Sequence, residues 1–244
     1  MIVMCFDLSS TCIGVTFGKV VNNHIKALTT LAVYPSPPSG HDLGYTTKNP
    51  KTIYYKGKTF QGFLKPEEAY ISKKEAERRM SKYRSSAHKG LLKDIGKKLG
   101  FYLELINPDI LAIERNEAFN GVMTTKLLAE IAGGIYFYAG MKKKPLFDIN
   151  VSKIRAKIRK DIKEFTRYET VSELDEARMK LMALDTKWEI YCRLRSYFET
   201  NHPGLVNFKE MTMDESDSLA VFYYIFTSEL LKEKEDSDNE NSEK

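Results

Sequence analysis

The chain opens with an apolar run that ends in a carboxylate, and no other stretch restricts the fold as much. Residues 1–6 have no polar face, which is typical of a short strand buried on both sides of a sheet. Asp7 follows at once, and a carboxylate at the end of a buried strand needs backbone N–H groups, a cation or a metal as its partner. The alternative is that Asp7 only caps a turn through Ser9 and Ser10.

The N-terminal half of the chain also predicts the neighbours of this strand. Residues 13–19 and 25–33 have strand patterns and are joined by a short Asn-Asn turn, so the first three strands should form an antiparallel meander. A helical region follows at about residues 72–106, basic at first and then amphipathic. The apolar run 110–113 is a further buried strand, and it too ends in a carboxylate, Glu114.

The C-terminal half alternates helices with one short strand, which indicates a mixed α/β sheet. Gly133 and Gly134 lie inside one of the helices, where they favour close packing against the sheet. The predicted elements are helices at 123–138, 175–200 and 213–231 and a strand at 145–149.

The length of the chain suits one large domain or two small ones, and we expect one domain over residues 1–231. Residues 34–72, with a small predicted hairpin, are interpreted as an insertion on the rim of the sheet. Residues 232–244 hold six acids against three lysines and are predicted to be disordered. Since the whole chain carries a net charge of +5, the chain without this tail carries +8. A basic body of this kind fits a polyanionic partner.

Composition also limits the cellular compartments that we expect for the protein. The three cysteines have neither the spacing of a disulfide framework nor that of a metal site, so we expect a reducing, cytoplasmic setting. No apolar stretch is long enough for a membrane span, and the N-terminus lacks the features of a signal peptide. We therefore expect no membrane partner.

Carboxylates at three places in the chain predict a metal centre. Asp7 and Glu114 each end a strand, while Asp214 and Asp217 lie three residues apart near the start of a helix and so project from one face. Acids gathered at one place repel one another unless divalent cations neutralise them. Hard oxygen ligands suit Mg²⁺, with Mn²⁺ as a substitute, and two such ions can promote phosphodiester hydrolysis.

Each of these positions also has a purely structural interpretation. In this interpretation Glu114 is a strand-end acid paired with Arg115 or another neighbour. Asp214 is in the same way interpreted as an N-cap, with Glu215 and Asp217 favouring the positive end of the helix. The three positions together are more specific than any one of them.

The same segments resemble those of a known family. The stretch from Asp7 to Gly14, the strand ending in Glu114 and the helix start from Asp214 to Ala220 are similar to motifs of the RuvC Holliday-junction resolvases, which belong to the ribonuclease-H-like superfamily. The chain looks most like the enzymes of lactococcal bacteriophages. The resemblance implies an α/β fold with a ribonuclease-H-like mixed five-stranded sheet flanked by helices and an inserted loop or hairpin.

The resemblance also implies an activity and partners. It implies a homodimer that places two active sites on a four-way (Holliday) junction and nicks it by Mg²⁺-dependent hydrolysis, without a nucleotide cofactor. Other branched DNA is a further possible substrate. We expect helix 123–138 or the region 72–106 at the dimer interface. Tyr136 and Tyr138 favour the helix, because they are aromatic residues near the glycine pair that the predicted core does not require.

The resemblance assigns roles to individual residues. The four metal-binding and catalytic acids of the family are matched by Asp7, Glu114, Asp214 and Asp217. Arg155 falls at about the position where the family has a basic residue that assists near the active site. Phosphate contact fits the basic residues beside such a site, although they also fit solvated helix faces. The DNA-binding candidates are Phe119, Lys153, Lys157, Lys160, Arg78, Arg79 and Lys82.

Two other functions are compatible with parts of this pattern. A non-catalytic protein that binds branched DNA could share the fold, but it would have no need of all four acids. An actin-like ATPase or sugar kinase also has an Asp and small hydroxyl residues at its first strand. Such enzymes need a second domain with another phosphate-binding hairpin, which the sequence does not predict.

Overall fold

The computed structural model describes residues 1–8, 12–33, 90, 92–115, 122–166, 185–209 and 211–228, with the backbone alone at 122–125 and 185. The chain forms two compact units, Met1–Tyr34 with Leu99–Lys244 and Pro35–Lys98. The sheet belongs to the first unit. The predicted insertion and the acidic tail lie outside the described residues, and the single-domain boundary stays a prediction.

Five strands form one mixed sheet, in the order β3-β2-β1-β4-β5. Strands β1, β2 and β3 are antiparallel neighbours, and β4 and β5 run parallel to β1. The predicted mixed five-stranded sheet flanked by helices is therefore confirmed. The strands are β1 (Ile2–Leu8), β2 (Ile13–Val21), β3 (His24–Val33), β4 (Ile110–Arg115) and β5 (Leu146–Asn150).

The turn between β2 and β3 shows why the predicted meander forms. Asn22 and Asn23 have φ angles of 50° and 58°, in the left-handed region that asparagine tolerates better than most residues. Two successive residues of this kind match the twist of an antiparallel hairpin. The two strands are consequently joined with only two residues between them.

The helices are α1 (residues 92–106), α2 (Val122–Lys142), α3 (Val151–Asp161), α4 (Asp185–Asn201) and α5 (Met213–Thr227). Helix α5 packs across β1, β2, β3 and β4, and α3 and α4 pack on α5. The residues of α5 are buried without a break from Ser216 to Tyr223, because the helix lies between the sheet and the other two helices. None of the described helices has the length and apolarity that a membrane crossing requires.

Alternation along the central strands divides the sheet residues between two faces. Val3, Cys5 and Ala112 belong to the apolar core that includes α5. Leu8 and Ile113 point to the other face, where they line a cavity together with residues of α2. A polar side chain that follows Val3, Cys5 or Ala112 at the next alternate position of its strand therefore lies under α5.

One expectation about α2 is wrong. Gly133 and Gly134 are exposed, and a Cβ atom added to either would meet no atom within 4 Å. They do not bring the helix close to the sheet, because the buried face of α2 is formed by other residues, among them Ile131 and Ile135.

Candidate active site

The register between β1 and β4 places two of the predicted acids side by side. Cys5 pairs with Ala112 and Phe6 with Ile113 in this parallel ladder. Asp7 and Glu114 each come one residue later, so both continue the face that α5 covers. Asp7 is only 4% exposed and Glu114 only 7%, so the two neighbouring carboxylates have almost no access to bulk water.

Small residues on β2 let α5 approach this edge of the sheet closely. A Cβ atom on Gly14 would lie 1.9 Å from the backbone carbonyl oxygen of Asp214, and one on Gly18 would lie 2.6 Å from the Phe222 ring. Between them, the hydroxyl groups of Thr16 and Ser218 are hydrogen bonded at 2.8 Å. These contacts fix the position of α5 along β2 and thereby the position of its acids.

The start of α5 is defined by a capping box. Thr212 is the N-cap, its hydroxyl accepts a hydrogen bond from the Glu215 amide, and the Glu215 carboxylate accepts one from the Thr212 amide. The interpretation of Asp214 as the N-cap is therefore wrong. Asp214 is half-buried one residue into the helix, and Asp217 is 6% exposed one turn further on.

Electrostatics show that the four acids share one site. Burial raises the pKa of Asp7 well above its usual range, and the charges of Asp217, Glu114 and Asp214 raise it further, against the opposing effect of Lys187. Burial, and then the charge of Asp217, raises the pKa of Glu114 to about 7. Desolvated carboxylates that repel one another hold protons at neutral pH unless a cation neutralises them.

Two basic side chains reach this cluster. The Lys187 ammonium donates a hydrogen bond to Oδ2 of Asp217. The charges of Asp217, Asp7 and Asp214 raise the pKa of Lys187 despite the opposing effect of burial. Arg155, half-buried on α3, lowers the pKa of Glu114, as does Lys187. Arg155 is therefore near enough to Glu114 for its charge to act on that acid, and its catalytic role stays a prediction.

Lys187 is not among the residues predicted from the sequence, although the helix pattern contains a signal for it. It lies three, four and seven residues before Ile190, Tyr191 and Leu194, all of which are buried. A lysine on the apolar face of an amphipathic helix needs a partner inside the protein. That partner is Asp217, thirty residues later in the chain.

The interpretation of Glu114 as the partner of Arg115 is wrong. The Arg115 guanidinium donates to Oδ2 of Asp148 at 2.9 Å, and the Tyr136 hydroxyl donates to the same oxygen at 2.5 Å. Neighbouring residues of a strand point to opposite faces, so Arg115 lies on the face away from α5.

The predicted DNA-binding residues divide into three groups. Lys153 and Lys160 are exposed on α3, which begins directly after β5. Lys157 lies on the same helix but pairs with Asp161 at 2.7 Å. The others lie outside the described residues: Phe119, Arg78, Arg79 and Lys82.

The four acids have the right chemistry for a divalent cation, but their side chains are not arranged around a common point. Asp7, Glu114, Asp214 and Asp217 offer hard oxygen ligands in a desolvated site, as Mg²⁺ and Mn²⁺ prefer. Among the residues that the structure describes, however, no three acid, histidine or cysteine side chains stand in an arrangement ready to hold a metal ion. The ammonium of Lys187 instead occupies one carboxylate.

Comparisons with known proteins find only distant similarity. No protein-family model and no curated protein matches the chain. Fourteen chains of known structure are similar to it. Thermus thermophilus RuvC in complex with a Holliday junction substrate shares 12% identity over 93% of this chain and 94% of that chain, with a TM-score of 0.49. A second T. thermophilus RuvC structure shares 13% over the same proportions, with a TM-score of 0.42. The yeast mitochondrial Holliday junction resolvase Ydc2 shares 14% over 90% of this chain and 75% of that one, with a TM-score of 0.41.

Proposed function

We propose that this protein is a divalent-metal-dependent endodeoxyribonuclease that resolves four-way DNA junctions. The observation that carries the proposal is the burial of Asp7 and Glu114 beside Asp217 of α5, where burial and the charges of neighbouring acids raise the pKa values of Asp7 and Glu114. A fold gains no stability from such a cluster, so a role in binding a cation explains it better than a role in packing. The junction as substrate rests on the sequence motifs that resemble the RuvC resolvases.

The chain supplies rigid positions for this chemistry. When bound, divalent ions would supply an activated water and stabilise the leaving oxygen of a phosphodiester. Asp7 and Glu114 are held at the ends of two central strands, and Asp217 by a helix whose start is capped and whose side rests on Gly14. The backbone positions of these acids are therefore fixed before substrate arrives, and only side-chain movements would be needed to gather them around a metal ion.

Basic residues near the acids complete the proposed reaction centre. The charge of Arg155 lowers the pKa of Glu114, which supports a role for its guanidinium in stabilising negative charge that would develop on phosphorus. Lys153 and Lys160 are exposed on the same helix and would contact phosphates further along the strand. Lys157 would have to exchange Asp161 for a phosphate to act in the same way.

We propose that the enzyme acts as a homodimer through α1 and α2. These helices pack side by side, since the Tyr138 hydroxyl donates to the Leu103 carbonyl at 2.9 Å and Lys142 pairs with Glu104 at 3.2 Å. Large apolar side chains protrude from both helices, an arrangement typical of an interface. They are Phe101, Leu105, Phe137 and Met141, with Phe137 73% exposed.

A dimer would match the two-fold symmetry of a four-way junction. We expect Phe137→Asp to give a monomer in sedimentation at micromolar concentration, because a carboxylate in an apolar interface is desolvated without a partner. Lys209→Asp, a change at an exposed residue after α4, should leave the dimer intact. A wild-type monomer that still makes paired nicks would contradict this part of the proposal.

A nicking assay tests the function itself. With Mg²⁺, the wild-type protein should cut a synthetic four-way junction and leave a linear duplex of the same sequence intact. Asp7→Asn, Glu114→Gln and Asp217→Asn should each abolish nicking and retain junction binding, because phosphate affinity comes from lysine and arginine. Full activity in any of these variants, or equal cutting of linear duplex, would overturn the assignment.

One observation favours a second candidate, a non-catalytic protein that binds branched DNA. The ion pair of Lys187 with Asp217 neutralises part of the acid cluster without any metal. In that case the junction would be bound and never cut, with or without Mg²⁺ or Mn²⁺. The same assay distinguishes the two functions.

A further inference from the structure

We infer that Lys187 is a built-in substitute for a divalent cation, which neutralises the acid cluster in the metal-free protein and competes with the metal for Asp217. The inference rests on the proposed metal centre and concerns how that centre is loaded. It assigns Lys187 a regulatory role at the site, separate from any contact with DNA.

The position of Lys187 in its helix shows that the acids hold it in place. It is the third residue of α4, in the first turn, where the helix dipole disfavours a positive charge. Its side chain is 32% exposed, whereas that of its partner Asp217 is 8% exposed. An ammonium at the positive end of a helix and partly removed from water is stabilised by its ion pair with the Asp217 carboxylate.

Lys187 is coupled to the whole cluster and not to Asp217 alone. Its charge acts on Asp7 and Glu114, and the charge of Asp214 acts on it in turn. This is the relation that a bound cation would have with the same four acids. A metal that binds Oδ2 of Asp217 takes the place of the ammonium on that oxygen, and the two cations then compete for the charge of one desolvated carboxylate.

The structure also provides a path for that exchange. The rest of α4 is anchored independently of Lys187: Trp188 and Tyr191 stack with ring centroids 4.8 Å apart, and the Tyr191 hydroxyl donates to the Phe208 carbonyl at 2.8 Å. The flexible lysine stem can therefore turn toward solvent without moving the helix. Binding of metal would then cost the ion pair but not the packing of α4.

The test measures metal affinity in the absence of DNA. Calorimetric titration of MnCl₂ into the full-length protein at one fixed pH should give a dissociation constant for Lys187→Met that is lower than the wild-type constant by on the order of tenfold or more, because the competing charge is gone. Lys187→Arg, which keeps the charge, should retain the wild-type constant within a few-fold. Lys126→Met removes a lysine that pairs with Glu130 at 3.8 Å on the exposed side of α2, and it should change nothing.

A second measurement, of thermal stability, distinguishes a change in metal affinity from misfolding of the variant. Without metal, Lys187→Met should melt below the wild type, and saturating Mn²⁺ should raise its melting temperature by more than it raises that of the wild type. If the wild type binds Mn²⁺ and Lys187→Met binds it equally or less tightly, the inference is wrong while the proposed metal centre stands. If neither protein binds Mn²⁺ at millimolar concentration, the proposed centre and the inference fail together.

Discussion

Replacement of Glu114 by glutamine should stabilise the metal-free protein at high pH and leave it unchanged at low pH. The folded-state pKa of Glu114 is about 7, whereas its ordinary value is 4.5. Between these values the folded protein keeps a proton that the unfolded chain has lost. Its stability therefore falls as the pH rises from about 4.5 to about 7, and the penalty is complete above that range. Glutamine does not titrate, so Glu114→Gln lacks this decline.

The size of the effect follows from the shift. About 2.5 pKa units at 1.36 kcal/mol each correspond to about 3 kcal/mol at pH 8. Glu114 is only 7% exposed, so screening by solvent reduces this little. For a protein of this size, about 3 kcal/mol corresponds to roughly 10 °C in melting temperature.

The assay is thermal and urea unfolding in EDTA from acid to alkaline pH. The wild type should lose stability across the window from about pH 4.5 to about pH 7, and Glu114→Gln should lose clearly less. The residual decline in the variant belongs to Asp7, whose pKa burial also raises. Glu104→Gln, at an exposed acid that pairs with Lys142, should run parallel to the wild type. If Glu114→Gln is less stable than the wild type at pH 8, or if the two curves are parallel, the acid cluster is not repulsive and the reasoning fails.

Two further predictions concern packing and catalysis. Gly14→Ala should destabilise the protein and weaken metal binding in calorimetry, because its Cβ would lie 1.9 Å from the Asp214 carbonyl oxygen and force α5 away; Gly96→Ala, in an exposed helical position with open space, should instead add about 0.5–1 kcal/mol in urea unfolding. A stable Gly14→Ala with wild-type metal affinity would contradict the packing argument. Arg155→Ala should slow single-turnover cleavage of bound junction by roughly 100-fold or more, whereas Lys153→Ala should weaken binding and flatten its salt dependence. Wild-type cleavage of bound DNA by Arg155→Ala would remove that residue from the reaction centre.

The sequence predicted the part of the site that lies on the central strands. Two apolar runs that each end in an acid imply buried parallel neighbours, and a shared register then places Asp7 and Glu114 together. The meander was equally predictable, because Asn22 and Asn23 favour the left-handed turn that it requires. Local patterns sufficed in both cases.

Local sequence patterns do not predict contacts between segments that are distant in the chain. The partner of Arg115 is Asp148, not the adjacent Glu114, because strand alternation separates neighbours and β5 brings in a carboxylate 33 residues away. Lys187 reaches Asp217 only because α4 packs on α5, and a one-dimensional pattern does not contain that packing. The helical glycines 133 and 134 could face the sheet or solvent at the same cost in helix propensity, and the fold decides between the two.

A crystal structure of the protein grown with Mn²⁺ tests the central claim most directly. Anomalous scattering locates manganese without reference to activity. We predict an anomalous peak among the carboxylates of Asp7, Glu114 and Asp217, with the Lys187 ammonium released from Asp217. A crystal at saturating Mn²⁺ in which these carboxylates bind no metal, and in which Lys187 still holds Asp217, would contradict the assignment of this cluster as a metal-dependent nuclease centre.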